Sequence, residues 1–125
     1  MLGDSKAFHG FAVTDLAKAK EFYGETLGVD VKVLDEENGL LELDLGSEPK
    51  TIAYLQPDAT AASYTILNFP VDDIEKAVDE LTSRGISFER YEGFDQDEKA
   101  IARGPGPNIA WFKDPSGNVL SAIED

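Results

Sequence analysis

The chain has 125 residues and a hydrophobic fraction of 42%, which is sufficient for one packed core and argues against disorder. Its formal net charge is −14, and such a surface repels phosphate groups, so we expect neither nucleic-acid binding nor attachment to an anionic membrane. The absence of cysteine excludes disulfides, thiol nucleophiles and Cys-ligated metals.

An internal repeat organises the chain. Residues 11–19 (FAVTDLAKA) match residues 69–77 (FPVDDIEKA) at a constant offset. Each copy has an apolar strand, then Asp15 or Asp73, then an amphipathic helix. Aspartate favours a helix N-cap because its carboxylate accepts free backbone N–H bonds. The repeat therefore predicts two strand–helix modules.

Three strands are predicted after each helix. In the first module they lie near 30–34, 39–45 and 50–55, and in the second near 87–92, 108–113 and 118–123. The Asn38-Gly39 pair and the segment 114–118 (DPSGN) carry the residues of hairpin turns. Residues 56–63 are predicted to connect the modules. We expect one domain over 1–125, with module one at about 6–56 and module two at about 63–124.

Two longer motifs carry a family resemblance. Phe-x-Val-x-Asp-Leu-x-Lys-Ala-x-x-Phe-Tyr-x-x-x-Leu-Gly at 11–28 and Ala-Trp-Phe-x-Asp-Pro-x-Gly-Asn at 110–118 resemble the opening and closing segments of the glyoxalase, bleomycin-resistance and extradiol-dioxygenase superfamily, also called vicinal oxygen chelate (VOC) proteins. The resemblance implies an α+β fold in which two βαβββ modules form one eight-stranded, U-shaped cup. It also implies a small-molecule ligand and a homodimer.

Many members of this superfamily hold a divalent metal through four inward His or Glu side chains, whereas others bind a drug without metal. The four positions that correspond here are occupied by Phe8, Ala53 or Tyr54, Ile66 and Ser121. None of these is a His or a carboxylate. We therefore predict no metal ligands and no cofactor, and a divalent metal is disfavoured. His9 lies one position away; a ligand or base role and a hydrogen-bonded strand-end histidine both stay open.

Side-chain alternation along the strands predicts which residues line a pocket. If Leu41 and Leu43 face the helix, then Glu42 and Asp44 face the cup, where they would hold a cation or act as acid and base; a solvated strand face is the alternative. Asn68 would orient a ligand or satisfy backbone groups. The predicted ligand-binding residues are Phe8, Glu42, Asp44, Tyr54, Ile66, Asn68, Trp111 and Ser121.

Tyr54, Trp111 and Phe112 are candidate aromatic walls. The segment 91–99 mixes aromatic and acidic residues, which is compatible with a lid or rim that recognises a cation; a solvated loop is the alternative.

Three functions are compatible with these features. The first is metal-free binding or sequestration of a small molecule, aromatic or cationic in character. The second is a VOC-fold isomerase, lyase or dioxygenase with a rearranged divalent-metal site. The third is a stand-alone structural or regulatory dimer with a residual cup. Whether the protein is an enzyme stays open, because fold is weak evidence for chemistry. No apolar run approaches the about 20 residues that cross a bilayer, and no signal peptide is evident, so we expect a cytoplasmic location.

Overall fold

Each copy of the repeat folds as a strand, a helix and further strands. The computed structural model describes residues 1–124. The chain divides into two compact units, Met1–Thr60 and a second that starts at Ala61, so the division falls inside the predicted connector 56–63. Among the described residues, no helix combines the length and apolar character that a membrane span requires.

The first unit is a four-stranded sheet with one helical segment. Its elements are β1 (Gly10–Val13), α1 (Leu16–Glu21) with a wider π-helical turn (Phe22–Thr26), β2 (Asp30–Asp35), β3 (Leu40–Asp44) and β4 (Thr51–Leu55). The strand order is β1-β4-β3-β2, in which β1 and β4 run parallel and the other neighbours run antiparallel.

The sheet of the first unit has one covered face and one open face. Buried apolar side chains from three strands line the covered face: Phe11, Val13, Leu41, Leu43 and Ala53. The helical segment packs there, with the rings of Phe11 and Tyr23 5.7 Å apart. Because alternate side chains of a strand point to opposite faces, Ala12, Glu42 and Tyr54 lie on the open face.

The second unit is a three-stranded sheet with one helix. Its elements are β5 (Thr65–Val71), α2 (Ile74–Ser83), β6 (Ile109–Lys113) and β7 (Val119–Glu124). The strand order is β5-β7-β6, with β5 and β7 parallel and β6 and β7 antiparallel. The side chains that pack between α2 and the sheet form the core of this unit: Ile74, Val78, Ile101, Ala110 and Ala122.

The two predicted N-caps are confirmed. The Asp15 carboxylate accepts a hydrogen bond from the backbone N–H of Lys18 at 3.0 Å, and Asp73 accepts one from Lys76 at 3.1 Å. Both caps have extended backbone, which turns the chain from the preceding strand into the helix. The repeat thus marks the same local structure twice.

The predicted hairpin between β6 and β7 is also confirmed. The Asp114 carboxylate accepts backbone N–H bonds from Ser116 and Asn118, both at 2.9 Å, and a further bond from the Asn118 side-chain amide. Gly117 has φ +88°, a conformation that side chains disfavour, so glycine suits this turn.

The strand predicted near 87–92 is wrong. This segment forms one isolated bridge, between Phe88 and Phe112, and one further backbone bond from Glu89 to β6. The Gln96 side chain explains the difference. Its oxygen accepts the Tyr91 N–H at 2.9 Å, and its amide donates to the Glu89 carbonyl at 3.0 Å. Because a side chain satisfies these backbone groups, no regular ladder forms, and the described residues contain seven strands.

Candidate functional site

The open face of the first unit carries three of the predicted site residues. Glu42 pairs with Ile52, and Tyr54 pairs with Leu40, so the predicted separation of Glu42 from the buried leucines is confirmed. Asp44 is exposed at the end of β3. Tyr54 is 39% exposed. Their role in binding stays a prediction.

Charged side chains of both signs surround Glu42 and Asp44. Both carboxylates line a shallow groove of about 440 Å³ together with Asp30 and three lysines: Lys20, Lys32 and Lys50. Lys32 is the cross-strand partner of Glu42. The pKa of Lys50 is raised, first by its hydrogen bond to Glu48 and to a smaller extent by Asp44 and Glu42. Because Lys50 is also paired with Glu48, the charges that line this groove do not by themselves identify a cation site.

Two predicted site residues lie outside the regular strand pattern. Phe8 precedes β1, which begins at Gly10, and its side chain is 63% exposed, so strand alternation does not orient it. Ile66 lies at a register shift between Thr65 and Leu67, where a bulge interrupts the alternation. The inward orientation of Phe8 and Ile66 was expected from regular strands at both positions. Neither position has a regular strand, so the orientation of both side chains stays a prediction.

His9 is a hydrogen-bonded histidine next to β1. Its Nε2 lies 3.2 Å from the hydroxyl of Thr51, which is fully buried, and its carbonyl accepts the N–H of Ile52. Among residues 1–124, no three His, Asp or Glu side chains come together as metal ligands. In these contacts His9 connects the segment before β1 to β4.

The residues at the family's chelating positions do not fit a metal ion. Phe8 and Ile66 have no donor atoms, and at the β4 position Ala53 is buried in the core while Tyr54 offers only a phenol. The fourth residue, Ser121, uses its hydroxyl to donate a hydrogen bond to Asn68 Oδ1 at 2.6 Å. Nitrogen and carboxylate donors are thus missing from all four positions.

The open face of the second unit brings three predicted site residues into one row. In the strand register Ser121 pairs with Asn68 on one side and with Trp111 on the other. Directly paired residues share a face, so the three side chains lie side by side across β5, β7 and β6. Two strand spacings separate Asn68 from Trp111, or about 10 Å.

Trp111 forms the centre of an aromatic cluster. Its ring centroid lies 5.5 Å from that of Tyr91 and 4.8 Å from that of Phe94, with tilted geometry that aromatic pairs favour. Trp111 is only 8% exposed, whereas Phe94 is 54% exposed. Phe94 is therefore the ring that faces solvent, and the buried Trp111 ring packs against it on the side of the sheet. Phe112, the other wall candidate, is buried in the core on the opposite face.

The segment that carries Tyr91 and Phe94 is held by Gln96 and Asp97. The Asp97 carboxylate accepts the N–H groups of Lys99 and Ile101 and an ion-paired bond from Arg103 at 2.9 Å. Burial raises the pKa of Asp97, but the bonds from Arg103, Ile101 and Lys99 together bring this pKa below its ordinary value. The segment is thus ordered by its own hydrogen bonds, while Glu92, Phe94 and Asp95 are exposed. Its role as a rim that recognises a cation stays a prediction.

The hydroxyl of Tyr91 is buried and has no hydrogen-bond partner among residues 1–124. Burial raises the pKa of Tyr91 above its ordinary value, the nearby carboxylate of Glu89 adds to the increase, and Lys113 opposes it. The hydroxyl therefore stays protonated at neutral pH. An unpaired buried hydroxyl is uncommon, because burial without a partner costs free energy.

The placement of Tyr91 and Phe94 on Trp111 was not predicted from the sequence. The aromatic residues of 91–99 were noted, but the contact depends on how Gln96 and Asp97 fold the segment back onto β6. Spacing along the chain contains no signal for such a contact.

Comparison with known proteins places the chain in a family. Residues 8–121 match the family model of the Glyoxalase/Bleomycin resistance protein/Dioxygenase superfamily. The chain belongs to this superfamily, and its α+β fold is the fold of that family.

The similar proteins do not share one described function. YraH of Bacillus subtilis (strain 168), an uncharacterized protein, is 27% identical over 86% of this chain and 88% of its own. TnmS3, an antibiotic binding protein from Streptomyces sp. CB03234, has 26% identity and a TM-score of 0.69, covering 94% of this chain and 92% of that chain. A lactoylglutathione lyase from Agrobacterium tumefaciens has a TM-score of 0.64, covering 97% of this chain and 93% of that chain, but its 21% identity is evidence for the fold alone.

Proposed function

We propose that this protein binds a small, partly aromatic molecule without a metal ion, and that the Phe94 side of the second unit is the contact surface. The observation that carries the proposal is the cluster of Trp111, Tyr91 and Phe94 beside the Asn68–Ser121 pair. Aromatic walls with a few placed polar groups are typical of small-molecule sites. The similarity to TnmS3, an antibiotic binding protein, supports the same class of function.

The donor chemistry supports binding without metal. Chelation of two neighbouring substrate oxygens needs several hard ligands around one ion, and the four family positions provide a phenol and a serine hydroxyl at most. An enzyme of this fold with a rearranged metal site is the alternative, and the experiment below separates the two. We also propose that the protein is a homodimer, which analytical ultracentrifugation tests.

The chain has a single tryptophan, so its fluorescence reports on this site alone. We expect planar aromatic compounds to quench Trp111 emission in a saturable way. The Phe94→Ala variant should bind about three- to tenfold more weakly, because one aromatic contact is lost. Leu34→Ala is the control, since Leu34 is an exposed apolar residue of the first unit. Its affinity should match that of the wild type.

Metal content is measured on protein purified without chelator, together with melting temperatures in Mn, Ni, Zn and Fe(II). We expect no stoichiometric metal and no rise in melting temperature, since only ligands of the native state stabilise it. One metal per chain would overturn the proposal and favour the enzyme. Failure of every aromatic compound to quench Trp111 would overturn it as well.

A further inference from the structure

The orientation of the Asn68 side chain indicates what it offers a ligand. Its Oδ1 accepts the hydroxyl of Ser121, and Ser121 is fully buried. The Nδ2 group of Asn68 has no partner among residues 1–124, and the residue is exposed. The amide therefore directs two N–H donors away from Ser121, and an amide N–H pairs with an acceptor.

A second unpaired polar group lies on the same face. The ring of Tyr91 packs on Trp111, which follows Ser121 in the row that begins at Asn68. Its buried hydroxyl has no partner within residues 1–124. A phenol both donates and accepts hydrogen bonds, but this hydroxyl is buried, so the exposed Asn68 amide is the donor that a ligand on this face can reach.

The open sheet face of the second unit lacks the acidic character of the chain as a whole. Its sheet positions on β5, β6 and β7 carry no carboxylate: Asn68, Pro70, Ile109, Trp111, Lys113, Val119, Ser121 and Ile123. The one ionised side chain among them, Lys113, lies 3.6 Å from Glu89. A net charge of −14 favours a cation in general, but these sheet positions offer no carboxylate that would form an ion pair with one.

We infer that the ligand is a neutral, planar aromatic molecule that presents a carbonyl-type acceptor to Asn68, and that Ser121 is a positioning residue that orients the Asn68 amide. The inference rests on the proposed function and names its ligand class. It selects the aromatic ligand over the cationic one, both of which the sequence left open.

Two probes of nearly equal shape test the inference. 10-Methylacridone is neutral and carries a carbonyl oxygen, whereas the 10-methylacridinium ion is a permanent cation without an acceptor. Both are titrated against the full chain, and Trp111 quenching gives each Kd. We expect the acridone to bind about tenfold more tightly than the acridinium, which corresponds to one hydrogen bond.

The Asn68→Asp variant replaces the N–H donors by an oxygen of almost the same shape. Ser121 still donates to it, but the exposed atom now repels a carbonyl. We expect about a tenfold weaker Kd for the acridone, and an unchanged or tighter Kd for the acridinium. Gln56→Glu adds the same charge at an exposed position of the first unit and should leave both Kd values within about twofold.

Two further variants guard against a folding defect. Asn68→Ala removes the donors without adding charge and should also weaken the acridone about tenfold. Ser121→Ala frees the Asn68 amide to rotate, so the ratio of the two Kd values should fall towards one, a change that a general loss of packing does not produce. Far-UV circular dichroism verifies that each variant is folded.

The possible failures are distinct. Tighter binding of the acridinium to the wild type, or an acridone Kd that Asn68→Asp leaves within twofold, overturns the inference while Trp111 quenching still supports the proposed function. If neither probe nor any other aromatic compound quenches Trp111, both the inference and the proposed function fail.

Discussion

Gln96 is the residue whose loss should most clearly separate the aromatic cluster from the rest of the second unit. Its side chain takes the place of a strand partner for residues 87–92. The oxygen accepts the Tyr91 N–H at 2.9 Å, and the amide donates to the carbonyls of Glu89 at 3.0 Å and Ala100 at 2.8 Å. A Gln96→Ala substitution removes all three bonds at once and leaves three backbone groups without these partners.

The size of the effect follows from the number of bonds. A hydrogen bond contributes about 0.5–1.5 kcal/mol net, and Gln96 is only half-buried, so we expect Gln96→Ala to lower the free energy of unfolding by about 2–3 kcal/mol. Loss of the bond to Tyr91 should also loosen the contact of Tyr91 and Phe94 with Trp111. Trp111, which is 8% exposed in the wild-type structure, should become more accessible to water in the variant.

Urea unfolding followed by circular dichroism measures the first effect, and the Trp111 emission maximum with acrylamide quenching measures the second. Gln56→Ala is the matched control, because Gln56 is exposed and its hydrogen bonds, to Val13 and from Ala59, use its backbone and not its side chain. A Gln96→Ala protein within about 0.5 kcal/mol of the wild type and with unchanged emission would refute the role we assign to Gln96.

Three further predictions concern other parts of the chain. Asp15→Ala removes the N-cap of α1 and should lower the free energy of unfolding by about 0.5–2 kcal/mol in urea unfolding. The pKa of Glu124 is held below its ordinary value, first by the N–H of Ile74 and then by the amide of Asn108. Its ionised form therefore contributes stability above the ordinary pKa, and this contribution is lost as the pH falls through the lower folded-state pKa. Glu124→Gln should make urea stability between pH 3 and 7 less dependent on pH. Tyr91→Phe removes an unpaired buried hydroxyl and should raise the free energy of unfolding by about 1 kcal/mol.

Each of these predictions has a control and a contradicting result. Asp15→Asn keeps a capping oxygen and should retain most of the stability, whereas an unchanged Asp15→Ala protein would count against the helix start. A Glu124→Gln protein with the wild-type pH profile would mean that other carboxylates set acid stability. A loss of stability in Tyr91→Phe would indicate that the hydroxyl has a partner in solution.

Features that depend on neighbouring residues were predictable from the sequence. The capping bonds of Asp15 and Asp73 reach only three residues along the chain, and the turn at 114–118 is closed by its own side chains. Alternation in β3 separated Leu41 and Leu43 from Glu42 because that strand is regular. Local hydrogen bonding and period-two patterning are visible in a sequence without knowledge of the fold.

Prediction from the sequence was limited where a distant side chain or an inserted residue determines the local backbone structure. The predicted strand at 87–92 is replaced by bonds from Gln96, which the strand pattern does not reveal. The register shift at Ile66 and the strand start at Gly10 remove the regular alternation on which the predicted orientations of Ile66 and Phe8 depend, so these orientations stay predictions. One register shift reverses every side chain beyond it, so a site inferred from alternation is sensitive to each bulge.

The irregular segment over β6 has a consequence for solubility. A strand at the edge of a sheet exposes unpaired N–H and C=O groups, and these can recruit a strand from another molecule and begin aggregation. Along β6 the backbone of Phe88, Glu89 and Ala102 already occupies part of that edge, and Gln96 keeps the covering segment irregular. A covering segment without a regular ladder is a poor template for an incoming strand. We therefore expect the Gln96 side chain, which organises the aromatic cluster, also to hinder aggregation through the β6 edge.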